Sequence, residues 1–272
     1  MSSVRSLVTG LLIAALAHVA AGPAAAQPAG ALPIDIRGAE RLEYDGATGV
    51  LVAEGTPVII TRGQSELRAP RVRYDARTRI ITAEGGVTAT EPGLSLRGGT
   101  AELRLTNERI RMRGDVQIRS ERDDGTAVLS AHEVEGSLQT RQFVALGGVT
   151  VTRGEWTVTG RRLDYDDRSR LAVMTGEPVA RLKDASMAAQ TITFLIAEER
   201  ARGEGDVVVR RGEIVGRAPR AEIIRRDNRA VLSGGARVDR GADRVTAEVI
   251  EIDLDGNRVT ARGASRLIVT PP

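Results

Sequence analysis

The side chains that could do chemistry in this chain are few. Cysteine is absent and the histidines are His18 and His132, which excludes thiol nucleophiles, disulfides, zinc–cysteine sites and any cage of several histidines. His132 stands two residues before Val134 with no serine or cysteine motif around it, and reads as a packed or surface histidine rather than a general base. The acids Glu43, Glu102, Glu135, Asp164, Glu222 and Glu251 recur at regular spacing, as carboxylates paired for acid–base work would. Each falls between two apolar columns, however, so on a strand it points away from them and into water. No enzyme, cofactor or metal site is expected from these residues.

The first 26 residues have a different character. Arg5 precedes an apolar run from Leu7 to Ala21, and Ala24-Ala25-Ala26 follows, in the order of a secretory signal peptide. Gly10, His18, Gly22 and Pro23 shorten the run below the roughly 20 apolar residues of a spanning helix. Cleavage is expected after Ala26, with retention as an N-terminal anchor as the alternative. The expected organisation is a signal at 1–26, a lead-in at 27–37 and one repeat domain at 38–272. Composition supports a folded exterior rather than a nucleic-acid surface. The 39 Lys and Arg are interleaved with 36 Asp and Glu, and the formal net charge is only +3 before Arg5 is lost.

Aromatic residues are 2% of the chain and glycines number 30, so a core must be built from Val, Ile, Leu and Ala, which favours strands. The elements repeat. Gly55, Gly85, Gly114, Gly147, Gly176, Gly205, Gly234 and Gly263 follow one another at intervals of about 29 residues. Thirteen residues before these glycines stand Leu42, Val72, Ala101, Val134, Leu163, Ile192, Ala221 and Ile250. Eleven before them stand Tyr44, Tyr74, Leu103, Gly136, Tyr165, Phe194, Ile223 and Ile252, with the acid column in between. Such period-two alternation is a half-buried strand. A second alternation runs up to each glycine, with Leu51, Ile81, Ile110 and Phe143 four before it and Met112 among those two before it. Turn sequences such as Asp45-Gly46-Ala47-Thr48 and Asp166-Asp167-Arg168-Ser169 lie between the two stretches, so each unit is a hairpin.

After the glycine the strand resumes, as in Val87-Thr88-Ala89 and Val207-Val208-Val209. A glycine inside a strand permits a bulge or sharp bend, and a row of them in register predicts a crease across the sheet. Pro57 and Pro178, one step out of phase, fit local bulges. The longer interval between Gly114 and Gly147 coincides with Glu121–Thr126, read as a longer hairpin tip. The expected fold is all-β: about 16 antiparallel strands from eight hairpin repeats, each bent near its middle, so that the sheet folds over on itself along one line. Its inner face is apolar and its outer face charged. Edge strands are expected near Arg41–Tyr44 and Arg266–Val269, with Pro271-Pro272 either blunting the second or leaving it to dock on a partner.

The segments Tyr44-Asp45 with Ala53-Glu54-Gly55, and Tyr74-Asp75 with Ala83-Glu84-Gly85-Gly86-Val87, are similar to those of the LptA/OstA-like lipopolysaccharide-transport proteins, over roughly residues 38–270. The resemblance implies a long bent-sheet β-jelly roll, V-shaped in section, a fold related to that of the membrane-anchored LptC protein. The resemblance implies a periplasmic carrier that shelters lipopolysaccharide acyl chains in its apolar interior on the way to the outer membrane. It implies partners of the same fold, met edge to edge: another copy or inner- and outer-membrane transport components. The third unit departs from the pattern at Leu103-Arg104, and later units carry Phe194, Ile223 and Ile252 in the tyrosine column. The residues expected to face the lipid are Leu42, Tyr44, Leu51, Ile59, Val72, Tyr74, Ile81, Val87, Leu103, Ile110, Met112, Phe143, Leu163, Tyr165, Ile192 and Phe194. Trp156 is expected in packing or as an interior contact. The alternative reading is a secreted β-solenoid serving as scaffold or adhesin, for which a 29-residue period could be one coil of a parallel β-helix.

Overall fold

A computed structural model describes residues 35–269 except 63, 123–124, 138 and 256–257. The signal segment 1–26, most of the lead-in and Pro271-Pro272 lie outside the described residues. Among those described, no helix is long and apolar enough to cross a membrane.

The chain forms two compact units that divide between Ala145 and Leu146. The first contains β1 (Asp35–Arg37), β2 (Arg41–Asp45), β3 (Val50–Arg62), β4 (Ser65–Asp75), β5 (Ile80–Glu91), β6 (Leu94–Arg104), β7 (Arg109–Arg122) and β8 (Gly125–Ser137). The division falls within β9 (Gln142–Arg153). The second unit continues with β10 (Trp156–Asp166), β11 (Leu171–Thr175), β12 (Val179–Leu182), β13 (Ala185–Ala188) and β14 (Thr191–Leu195). It ends with β15 (Arg200–Arg211), β16 (Ile214–Ile224), β17 (Arg229–Arg240), β18 (Asp243–Asp253), β19 (Val259–Arg262) and β20 (Arg266–Ile268). Long strands pair antiparallel with their sequence neighbours, as in Tyr74↔Ile81 and Ala221↔Leu232. Antiparallel hairpins are not the coils of a parallel β-helix, so the solenoid reading fails here.

The hairpin ends are set by local chemistry. The carboxylate of Asp45 accepts from the Ala47 and Thr48 amides, and those of Asp75 and Asp166 accept equivalently from residues two and three positions on. These Asx turns are what the recurring Asp supplies.

Long pairings are interrupted once, near the middle. The register slips between Glu54 and Val58, Glu84 and Val87, Arg113 and Val116, Glu204 and Val207, and Ser233 and Ala236. At most of these slips two successive residues have positive φ: Gly85 and Gly86 (88° and 99°), Gly114 and Asp115 (82° and 48°), Gly205 and Asp206 (78° and 48°), Gly234 and Gly235 (89° and 84°). The first position is glycine because a Cβ there is penalised. The second tolerates Asp, whose short polar side chain is among the few that visit this region. Pro70 and Pro219 sit opposite Gly85 and Gly234, in the gap of the ladder where no N–H is needed.

The bend folds each unit's sheet onto itself. In the second unit Leu232 pairs with Ala221, five residues along β16 from Gly216, or about 17 Å of extended strand. A Cβ on Gly216 would nonetheless lie 2.6 Å from Leu232 Cδ2 and 3.3 Å from Ile252 Cδ1. Similarly, Met187 pairs with Val209, yet its Sδ would lie 3.0 Å from a Cβ on Gly203. In the first unit Met112 Cε reaches Gly98 in the same way. The two halves of the strands are therefore facing leaves, one ending in the Asx turns and the other in hairpins such as Arg211–Ile214.

Two sequence expectations change in detail. Twenty strands are described rather than sixteen, because four bent strands lose their pairing at the bend and divide into β1/β2, β11/β12, β13/β14 and β19/β20. The residues added between Gly114 and Gly147 do not enlarge a hairpin tip. Pairing runs on to Arg122↔Gly125, so the arms of that hairpin are longer than those closing at Glu91↔Leu94.

The backbone at the bend separates two substitutions. A Cβ on Gly235 (φ +84°) would meet nothing within 4 Å, whereas one on Gly176 (φ +77°) would lie 2.5 Å from Arg161 Cβ. Gly235→Ala is expected to cost about 1–2 kcal/mol from the left-handed backbone alone, and Gly176→Ala distinctly more. Urea unfolding midpoints of the two variants check this, and equal losses would contradict it.

Candidate functional site

The interior between the leaves is made almost entirely of aliphatic side chains. Ile60, Ile81, Leu103, Met174, Met187, Ile192, Ile223, Leu232, Ile250 and Ile252 are fully buried. Full burial of such a residue is worth about 1.5–3 kcal/mol, so contact between the leaves is a principal source of each unit's stability. Among the described residues Asp167 is the buried acid, and it lies outside these columns, at a turn, where it accepts from the Tyr165 hydroxyl at 2.8 Å.

Most of the residues expected to face inward do so. Leu51, Val72, Tyr74, Ile81, Val87, Leu103, Ile110, Met112, Leu163 and Ile192 are buried. Phe143, Tyr165 and Phe194 are half-buried near the ends of the leaves. Phe143 lies against Gly136, whose missing side chain makes room for the ring. Ile59 is a correction: its neighbours Val58 and Ile60 point inward and are buried, while Ile59 takes the opposite face. The slip between Glu54 and Val58 reverses the alternation after the bend, and three apolar residues in succession conceal which one is inside. Val207 and Val209, with Val208 turned outward, repeat the case.

Leu42 and Tyr44 share the inner face, since they pair with Ala53 and Leu51, but they are 60% and 63% exposed. They lie on edge strand β2. At the other end of the chain Leu267, Ile268 and Val269 are likewise exposed, on and just after edge strand β20. Exposed large apolar side chains among the described residues are thus confined to the two edges. Along the same strands the backbone is paired on one side: β2 with β3, β20 with β18.

The outer face carries the acid column as an ion-pair lattice. Glu43, Glu102 and Asp164 bind Arg41, Arg104 and Arg162, and Glu251 lies between Arg229 and Arg262. Burial raises the Glu133 pKa, but hydrogen bonds from Arg111 and Arg113 outweigh it and hold the carboxyl below its usual range. The Arg244 hydrogen bond, opposed by desolvation and assisted by Arg237, does the same for Asp239. His132 is exposed at the bend. These groups are spread over a solvated surface and converge on no reaction centre, and no cluster of His, Asp and Glu among the described residues could hold a metal ion.

Comparison with known proteins bears on this arrangement. The family model described as "LptA/(LptD N-terminal domain) LPS transport protein" matches residues 38–200 and 129–258. An LPS-assembly protein LptD from Chromohalobacter salexigens is 39% identical over 64 residues, which are 24% of this chain and 7% of that protein. The crystal structure of Pseudomonas aeruginosa LptH, described as the LptA-homologous periplasmic component of the lipopolysaccharide transport device, aligns with 53% of this chain and 95% of its own. Its sequence identity is 16% and its TM-score 0.26.

The charge lattice has a pH signature. A carboxyl with a lowered folded pKa contributes stability that is present above its unfolded value, about 3.9 for Asp, and is lost as pH falls through the folded value. Asp239→Asn is therefore expected to lower the urea midpoint at pH 7. Its deficit should shrink progressively below pH about 3.9; a deficit independent of pH would contradict the ion-pair assignment.

Proposed function

Because this chain belongs to the LptA/LptD N-terminal domain family of LPS transport proteins, we propose that it carries lipopolysaccharide by sheltering the acyl chains between its leaves, in the periplasm between inner and outer membranes. The observation that carries this reading is the continuous aliphatic interior that lines the leaves within each unit. Side chains from the two leaves bury one another. An acyl chain that parts them exchanges one apolar contact for another, so the protein's own burial is nearly conserved. The gain is removal of the chain from water, about 0.8 kcal/mol per CH₂. Successive strands offer similar contacts, which suits a cargo that moves along the leaves rather than resting at one deep site.

The exposed edges support a second element of this reading. Leu42 and Tyr44 on β2, and Leu267 and Ile268 on β20, offer an open backbone ladder beside the uncovered end of the inner face. Pairing with another copy, or with a transport component of the same fold, would satisfy both.

Photo-crosslinking residues at Tyr74, Leu103 and Ile192, in cells making the protein, should capture lipopolysaccharide. Placed at the outward Arg73, Glu102 and Thr193 they should not. Equal capture from both faces, or none from the inner face, would overturn the carrier reading. For the edges, the natural absence of cysteine allows a clean test. Mixing Tyr44→Cys and Leu267→Cys proteins under oxidising conditions should give mixed disulfide dimers, whereas Arg73→Cys should give none with either; the reverse pattern would exclude edge-to-edge pairing.

A further inference from the structure

In the second unit the mouth between the leaves, opposite the bend, is held by contacts that cross from one leaf to the other. Arg211 ends β15 in one leaf, and its Nη1 donates to the backbone carbonyl of Asp253 at the end of β18 in the other, at 3.0 Å. The guanidinium is only 14% exposed, and its Nε lies 3.3 Å from the Asp184 carboxylate of the neighbouring hairpin. On that hairpin Lys183, the single lysine of the chain, reaches across to Asp255 at 3.9 Å. Farther along, Trp156 and Phe194 meet edge to face across the same mouth, with centroids 6.2 Å apart. Behind these groups Leu182, Ile214 and Leu254 are buried.

The two halves of this clasp differ in chemistry. One rim offers a guanidinium and an ammonium, with the exposed Asp184 carboxylate on the Nε side of the guanidinium and the Nη side turned to the opposite rim. The other offers a backbone carbonyl and the Asp255 carboxylate, which also accepts from Asn228 at 2.6 Å and therefore does not depend on Lys183. An acyl chain cannot pass between the leaves here without separating the rims, and separation leaves Arg211 and Lys183 facing the opening at the boundary between the apolar interior and water. That is where the anionic group of an amphiphile would lie. Arg211 is suited to it: a planar fork of donors matches a phosphate's oxygens, and a bidentate pair with a charged acceptor is stronger than the single bond its Nη1 makes to the neutral Asp253 carbonyl.

We propose that Arg211 and Lys183 form an anion site at the mouth of the second unit, a latch that is closed on Asp253 and Asp255 and opens when a phosphate-bearing acyl amphiphile takes their place. The proposal rests on the carrier reading and adds to it a place where the headgroup is recognised and a contact that must break for cargo to be held.

Trp156 is the sole tryptophan, so its emission reports the latch directly. The full chain is titrated with dodecyl phosphate, with dodecyl maltoside and with inorganic phosphate, and direct binding of each is followed by equilibrium dialysis. Dodecyl phosphate should shift Trp156 emission and bind about tenfold more tightly than the maltoside, as one or two charged hydrogen bonds provide. Inorganic phosphate, lacking a chain to part the leaves, should leave the emission unchanged. Arg211→Gln with Lys183→Gln should abolish the preference. Asp255→Asn, which removes a competitor for Lys183, should increase it, a gain that misfolding cannot mimic. Equal binding of the two amphiphiles, a preference that survives the double substitution, or an emission shift with inorganic phosphate alone would overturn the anion site while leaving the carrier reading in place. Failure of both amphiphiles to bind would overturn both.

Discussion

An apolar sheet face cannot stay open to water, and everything else in this protein depends on how that face is covered. Among the described residues no helix packs on it. Instead the strands bend at a pair of left-handed residues and the sheet covers itself. The bend is a backbone property before it is a packing one: glycine at the first position removes the Cβ that would oppose it, and the ladder gap opposite accommodates Pro70 and Pro219 without loss of a hydrogen bond. Long aliphatic columns then bury against each other, and the charged columns fall outside by the alternation of the strand.

Self-coverage has a functional consequence. The leaves are joined covalently and by their ladders at the bend, while at their free ends they meet through side chains. Under the carrier proposal, such an interior parts to receive a hydrocarbon chain without exposing its own apolar surface. The lattice of arginine–carboxylate pairs outside is worth little to stability, since exposed ion pairs contribute about 0–1 kcal/mol each. It keeps the outer face of the sheet hydrated while the apolar columns turn inward. At the edges the covering is incomplete, and Leu42, Tyr44, Leu267 and Ile268 remain exposed.

Much of this was legible in the residues. The glycine spacing located the bends, the Asp turns located the hairpin ends, and the columns at Val72, Tyr74, Ile81, Leu103 and Ile192 were inward as their alternation implied. Legibility stopped where alternation did. The slip after each bend shifts the phase, so Val58-Ile59-Ile60 and Val207-Val208-Val209 could be placed only once the register was known. Inward positions such as Met187, Val207 and Val209 were missed for that reason. Leu42 and Tyr44 follow the inward pattern, but alternation alone does not say how far an edge strand is covered. The cross-mouth contacts of Arg211, Lys183, Trp156 and Phe194 join residues on different strands, with Arg211 and Asp253 standing 42 positions apart, and no spacing rule connects them.

Opening of the leaves around a hydrocarbon chain is tested most directly by a distance across the mouth. Spin labels at Glu213→Cys and Asp227→Cys sit on exposed hairpin ends of opposite leaves of the second unit. Their separation by pulsed electron resonance should lengthen when lipopolysaccharide is bound and return when it is stripped. An unchanged separation in protein shown to carry stoichiometric lipopolysaccharide would mean that the interior stays shut, and that the cargo is held somewhere else.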